Sequence, residues 1–162
     1  MKQDRVKISI PGHLETPFVQ GAKGIHTLAG LIHETPPINE EEPDVIFSKV
    51  ANSLSFPGVA IVLSDFLFPV ENITKLFNSL RAKNLDITGI QVLGKNDIKP
   101  FADSKNIRAV DSENQVEELI HLNSNFYANY TEELNKHTSL VKNFCRKNQI
   151  NFHVWDLSLI HI

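Results

Sequence analysis

At 162 residues, 41% apolar and 22% charged, the chain has the make-up of one folded domain, long enough to bury roughly 70% of the surface its unfolded form exposes. A net charge of −3 with scattered lysines and arginines argues against a nucleic-acid surface; only Lys142, Arg146 and Lys147 cluster, where a helix carboxyl end favours cations. No run approaches the roughly 18 apolar residues of a membrane helix and no signal-like segment opens the chain, so the expected location is cytoplasmic.

Arg5 to Ile10 alternates polar and apolar residues, as a strand with one wet face does. Pro11-Gly12-His13 is a turn signal, and Leu14 to Gln20 reads as the second member of a hairpin, an edge strand because of Pro17. Gly21-Ala22-Lys23-Gly24 lacks Walker spacing and reads as a tight turn into a helix. Ile25, Leu28, Ala29, Leu31 and Ile32 then form a helical stripe that Thr35-Pro36-Pro37 ends. After an acidic loop from Asn39, Pro43 suits the first turn of a helix carrying Val45, Ile46, Val50 and Leu54. Phe56-Pro57-Gly58 turns the chain into Val59 to Leu63, five consecutive apolar residues that predict a strand buried on both faces.

Beyond Ser64-Asp65, a stripe of Ile73, Leu76, Phe77 and Leu80 predicts a helix from Val70. Leu85 to Leu93 is a further strand, bounded by Gly94-Lys95-Asn96-Asp97. Ile107 to Val110 and Val116 to Leu119 read as short strands around Asp111 to Asn114, although the second equally suits a helix. Phe126 to Asn148 is the longest helix, with Tyr127, Tyr130, Leu134, Val141 and Phe144 near one stripe; Ile150 to Leu157 closes the chain as a strand. Alternation of strand and helix predicts a mostly parallel sheet flanked by helices, with the hairpin as an antiparallel edge.

Ligands of open α/β sheets bind just past the carboxyl ends of the strands, which draws attention to Ser64 and Asp65. A hydrolase nucleophile there lacks its Gly-x-Ser-x-Gly elbow, since Val62 and Phe66 flank Ser64. A phosphoryl-aspartate enzyme needs a second acid two residues on, where Leu67 stands. The plainer role for either side chain is to satisfy amides at the start of the next helix. Phe66, Leu67 and Phe68 form with Ser64 and Asp65 a candidate partner-binding patch, the alternative being that this loop packs onto the following helix. His13, His26, His33, His153 and His161 show no metal-ligand spacing, and Cys145, the only cysteine, excludes an internal disulfide and reads as a structural thiol.

Asp4-Arg5-Val6, the Leu28 to Ile32 helix, Ile61-Val62-Leu63-Ser64-Asp65-Phe66-Leu67 and the Phe126 to Trp155 block, with Gln149-Ile150-Asn151-Phe152, together resemble one family. It is the bacterial family of von Willebrand factor A-like proteins of unknown function, often encoded beside MoxR-type ATPases. Leu93-Gly94 through Lys99-Pro100-Phe101 is a looser match. The resemblance implies a three-layer, Rossmann-like α/β fold lacking its first central strand, with residues 1–162 as a single partial domain. The gap would leave open sheet edges, closed by re-pairing or by a homodimer. It also implies a degenerate metal-ion-dependent adhesion site. Asp-x-Ser-x-Ser is absent, Pro43-Asp44 stands where a threonine is needed, Thr35 is an uncertain substitute, and only Asp65 carries over. One aspartate does not hold Mg²⁺, which would bind only if the site were completed.

The expected function is therefore that of a non-catalytic protein–protein interaction module, acting with a MoxR-type ATPase in protein assembly or remodelling. No cofactor, nucleic acid or membrane is expected. The alternatives are a small magnesium-dependent hydrolase or phosphotransfer enzyme using Asp65, predicting a second polar group converging on that residue, and a non-functional gene fragment.

Overall fold

A computed structural model of the chain describes residues 5–10, 14–35, 49–50, 52–54, 58–100, 106–110, 117–121 and 124–157. The turn at Pro11 to His13, the Pro43 helix start with Val45 and Ile46, the Phe56-Pro57 turn, the Asp111 to Asn114 turn and His161 lie outside the described residues. Two compact units emerge, Met1–Gly58 with Lys75–Leu85, and Val59–Thr74 with Asp86–Ile162.

The first unit opens with the expected hairpin, broken into β1 (Arg5–Val6), β2 (Ser9–Ile10), β3 (Leu14–Glu15) and β4 (Val19–Gln20). β1 pairs antiparallel with β4 and β2 with β3, with Val6 opposite Val19 and Ser9 opposite Glu15. Two residues on one arm thus face three on the other, which is a bulge, and Pro17 sits in it where the ladder asks for no N–H. Buried Thr16 repairs the break: its amide donates to the Ile8 carbonyl at 3.0 Å, and its hydroxyl accepts from the Ile8 amide at 2.9 Å. Lys7 adds an ion pair to Glu15 at 2.8 Å, and the Arg5 guanidinium lies 5.1 Å from the Phe18 ring centre.

The sequence pattern places the hairpin at the edge of the main sheet. Among the described residues its strands pair only with each other, because the bulge and short arms leave no continuous outer edge to extend. The expected turn at Gly21 to Gly24 is instead the first turn of α1 (Gly21–Glu34), with Gly21 absorbing a φ of +69° at the junction. Gly24 allows β4 to approach: a Cβ there would meet Val19 Cβ at 2.8 Å. Thr35 ends the helix by donating its hydroxyl to the Leu31 carbonyl at 2.8 Å.

In the second unit, β5 (Gly58–Ser64), β6 (Leu85–Leu93) and β9 (Asn151–Asp156) form a three-stranded parallel sheet in the order β5-β6-β9. β6 and β9 run in register from Thr88 opposite Asn151 to Leu93 opposite Asp156. Helix α2 (Val70–Arg81), which belongs to the second unit up to Thr74 and to the first from Lys75, links β5 to β6 in sequence and buries Ile73, Leu76, Phe77 and Leu80, the spacing of a single stripe. A short α3 (Lys95–Ile98) follows β6, and the antiparallel strands β7 (Asn106–Val110) and β8 (Glu117–His121) resolve the strand-or-helix ambiguity in favour of a hairpin.

Helix α4 (Ser124–Lys147) buries Val141 and Cys145, and returns the chain to β9 through a left-handed Gln149. There the Ile150 amide bonds the Cys145 carbonyl at 2.9 Å and the Gln149 amide that of Arg146 at 3.4 Å, the paired bonds of a Schellman motif.

The apolar run Val59 to Leu63 predicts a strand buried on both faces, yet in β5 Val59, Ile61 and Leu63 are 71%, 63% and 64% exposed. Among the described residues β5 is an edge strand of this sheet, and its alternate residues point away from the covered side.

Candidate functional site at the carboxyl end of the sheet

The loop from Ser64 to Pro69 carries every site residue expected from the sequence. Ser64 and Asp65 do cap free amides, but in the loop rather than in the helix that follows. Ser64 Oγ accepts from the Phe66 amide at 3.1 Å, and Asp65 Oδ1 accepts from the Leu67 amide at 3.2 Å. These local bonds compete with regular structure and hold a tight reversal between strand and helix.

Phe66 sits at the centre of that reversal with a φ of +51°, uncommon for a non-glycine residue. Its conformation turns the ring inward, where it is fully buried, edge-on to Phe152 with centroids 5.5 Å apart and tilted against Phe68 at 6.1 Å. Phe66 is thus an anchor of the core, its ring turned away from solvent. Asp65, Leu67 and Pro69 are the exposed members of the loop, while Ser64 and Phe68 are half-buried.

Two residues that sequence reasoning missed fix this loop. The Gln91 side chain, on the buried face of β6, donates from Nε2 to the Asp65 carbonyl at 2.8 Å. From α4, His137 Nε2 lies 2.6 Å from the Phe66 carbonyl, which can only accept, so Nε2 carries the proton. Two consecutive carbonyls are therefore gripped by side chains remote in sequence. Gln91 Oε1 is buried without a hydrogen-bond partner among the described residues. His137 had a legible signal, since it falls on the α4 stripe between Leu134 and Val141.

The polar group that converges on Asp65 thus engages its backbone, while the carboxylate stays exposed. Among the described residues no cluster of three or more His, Cys, Asp or Glu is placed to hold a metal ion. Thr35 spends its hydroxyl on its own helix. Burial pushes the Cys145 thiol up to about 11, so it is neutral and a poor nucleophile near pH 7. Burial, then the charge of Asp97, also raises Tyr130, whose hydroxyl donates to the Asp97 carbonyl at 2.7 Å. Among the described residues no helix is long and apolar enough to cross a membrane.

A second surface lies on the sheet itself. On β6, Ile87, Gly89, Gln91 and Leu93 are buried, whereas Thr88, Ile90 and Val92 belong to the other, less covered face. The register places exposed Asn151, His153 and Trp155 of β9 beside those three, and Trp155 is 52% exposed. By the same alternation Val59, Ile61 and Leu63 of β5 belong to this open face. Parallel sheets are ordinarily covered on both sides.

No protein-family model, no curated protein and no solved structure matches the chain.

Proposed function

We propose that the chain is a non-catalytic protein-interaction module whose principal contact surface is the open apolar face of its parallel sheet. The observation that carries this reading is the exposure of Val59, Ile61 and Leu63 in a row on β5. The largest contiguous apolar patch on a protein surface, a few hundred Å² in extent, is often a functional contact site. The arrangement at Asp65 supports the same conclusion from the other side, because the polar groups near it serve backbone carbonyls and amides. The resemblance to von Willebrand factor A-like proteins adds a class of co-worker, a MoxR-type ATPase engaged in assembling or remodelling other proteins, and a degenerate adhesion site at Asp65.

Calorimetric titration of the purified chain with Mg²⁺ and with Mn²⁺, repeated on Asp65→Ala, tests the non-catalytic half of the proposal. The expected result is no saturable heat from either protein. Saturable binding that disappears in Asp65→Ala would overturn it and favour a magnesium-dependent hydrolase or phosphotransfer enzyme.

A further inference from the structure

We infer that the occupant of the open sheet face is a second copy of this chain, packed face to face about a two-fold axis. The inference rests on the interaction reading above and names its partner.

The chemistry of the face selects the occupant. Val59, Ile61, Leu63, Ile90, Val92 and Trp155 dominate it, and the positions between them hold Thr88, Asn151 and His153. Asp86, exposed at the amino-terminal end of β6, is the single permanently charged residue of the three strands on this side. A face without a charge pattern has nothing with which to select an oppositely charged partner, and it does not repel its own copy. Two-fold dimers need a self-complementary patch, and homodimer interfaces are the more apolar class.

The area agrees. The exposed parts of these side chains amount to on the order of 500 Å² per copy, so two copies bury roughly 1,000 Å², the size at which specific interfaces begin. Pairing along the edge of β5 that no described strand occupies would leave Val59, Ile61 and Leu63 as wet as before, because strand side chains stand perpendicular to the sheet. Stacking of the two faces removes them from water and leaves the Ser64 to Phe68 loop for other proteins.

Trp155 is the only tryptophan in the chain and stands on this face, so its emission reports the contact in the unaltered protein. Sedimentation equilibrium and tryptophan emission are measured across a dilution series from about 100 μM to below 1 μM, a span suited to an interface at the small end of the specific class. The expected result is a mass of twice 18.3 kDa at the concentrated end. Dilution should then produce the monomer together with a red shift of the emission. Ile61→Lys, at a position already exposed, should be monomeric throughout with unchanged far-ultraviolet circular dichroism.

A wild-type monomer at every concentration overturns the inference, as does a dimer that Ile61→Lys leaves intact and whose emission ignores dilution. An apolar dye separates the two levels of the argument. A monomer that binds the dye, and loses it in Ile61→Lys, removes the second copy but keeps an interaction face. A monomer that binds none removes both.

Discussion

Gln91 shows how much of the strand-end loop hangs on one side chain. Its amide nitrogen satisfies the Asp65 carbonyl, while its oxygen, equally buried, has no partner among the described residues. Substitutions that treat the two atoms differently separate their contributions. Gln91→Leu deletes the donor and the orphaned acceptor together, so one loss offsets the other and the expected cost is about 1 kcal/mol. Gln91→Glu keeps the shape but sets a carboxylate against the Asp65 carbonyl in a buried site, and about 3 kcal/mol or more is expected. Urea midpoints of the two variants measure the order. Equal losses would mean that packing of the side chain, and not its polarity, holds the loop. Phe66 is the complementary case, since its left-handed backbone is tolerated because a fully buried ring anchors it.

Within single elements, two of the three glycines of α1, Gly24 and Gly30, predict opposite responses. Gly24 lies where a Cβ would press on Val19 at 2.8 Å, so Gly24→Ala forces β4 and the helix apart and should cost about 1–3 kcal/mol. Gly30 has open space around it, and Gly30→Ala should stabilise by up to about 1 kcal/mol through helix propensity alone. Thermal denaturation of both decides the matter, and a stabilising Gly24→Ala would contradict the close approach of β4 to α1. The same contrast explains what the sequence makes legible. β6 is readable to the residue because Asn84 and Gly94 bracket a continuous run, and α2 because its apolar residues recur at one helical spacing. The limits of β5 are readable to within one residue at each end, Val59 to Leu63 against Gly58–Ser64, but its environment is not. Five apolar residues in succession describe a strand that could be covered twice, and only the order β5-β6-β9 reveals it as an edge with one face open. The site divides similarly. Ser64 and Asp65 announce themselves by position at a strand end, whereas Gln91 and His137 act on carbonyls 26 and 71 residues away, which no local pattern encodes. His137 still betrays its inward direction, since a histidine on the α4 stripe must face the core.

For the molecule as a whole, three perturbed groups, Glu15 in the first unit and Cys145 and Tyr130 in the second, predict stability that declines at both ends of the pH scale. Glu15 is held below its ordinary value of 4.5 chiefly by the hydrogen bond from Lys7, reinforced by Ser53, the charge of Lys7 and Ser9, against a smaller opposing effect of burial. The native carboxylate therefore stays ionised where the unfolded one has taken up a proton. Its contribution is present above pH 4.5 and is lost as the pH falls through the lower native value. Because Glu15 is exposed, this acid limb is shallow, and Glu15→Gln should flatten it. Cys145 works in the opposite sense. Burial lifts it from 9.0 to about 11, so between those values the folded thiol keeps a proton that the unfolded chain has released. The unfolded state then binds fewer protons, and stability must fall with rising pH at a slope approaching about 1.4 kcal/mol per pH unit. Tyr130, also raised by burial, extends the decline in the same direction at higher pH. Urea unfolding at closely spaced pH values from 3 to 11 should thus show a broad neutral plateau, a gentle acid slope and a steeper alkaline one. Cys145→Ala lowers the plateau by opening a cavity but removes most of the slope above pH 9, a separation of level from gradient that packing alone cannot produce. An alkaline limb as steep in Cys145→Ala as in the parent would place the controlling proton elsewhere and deny the thiol its buried, neutral state.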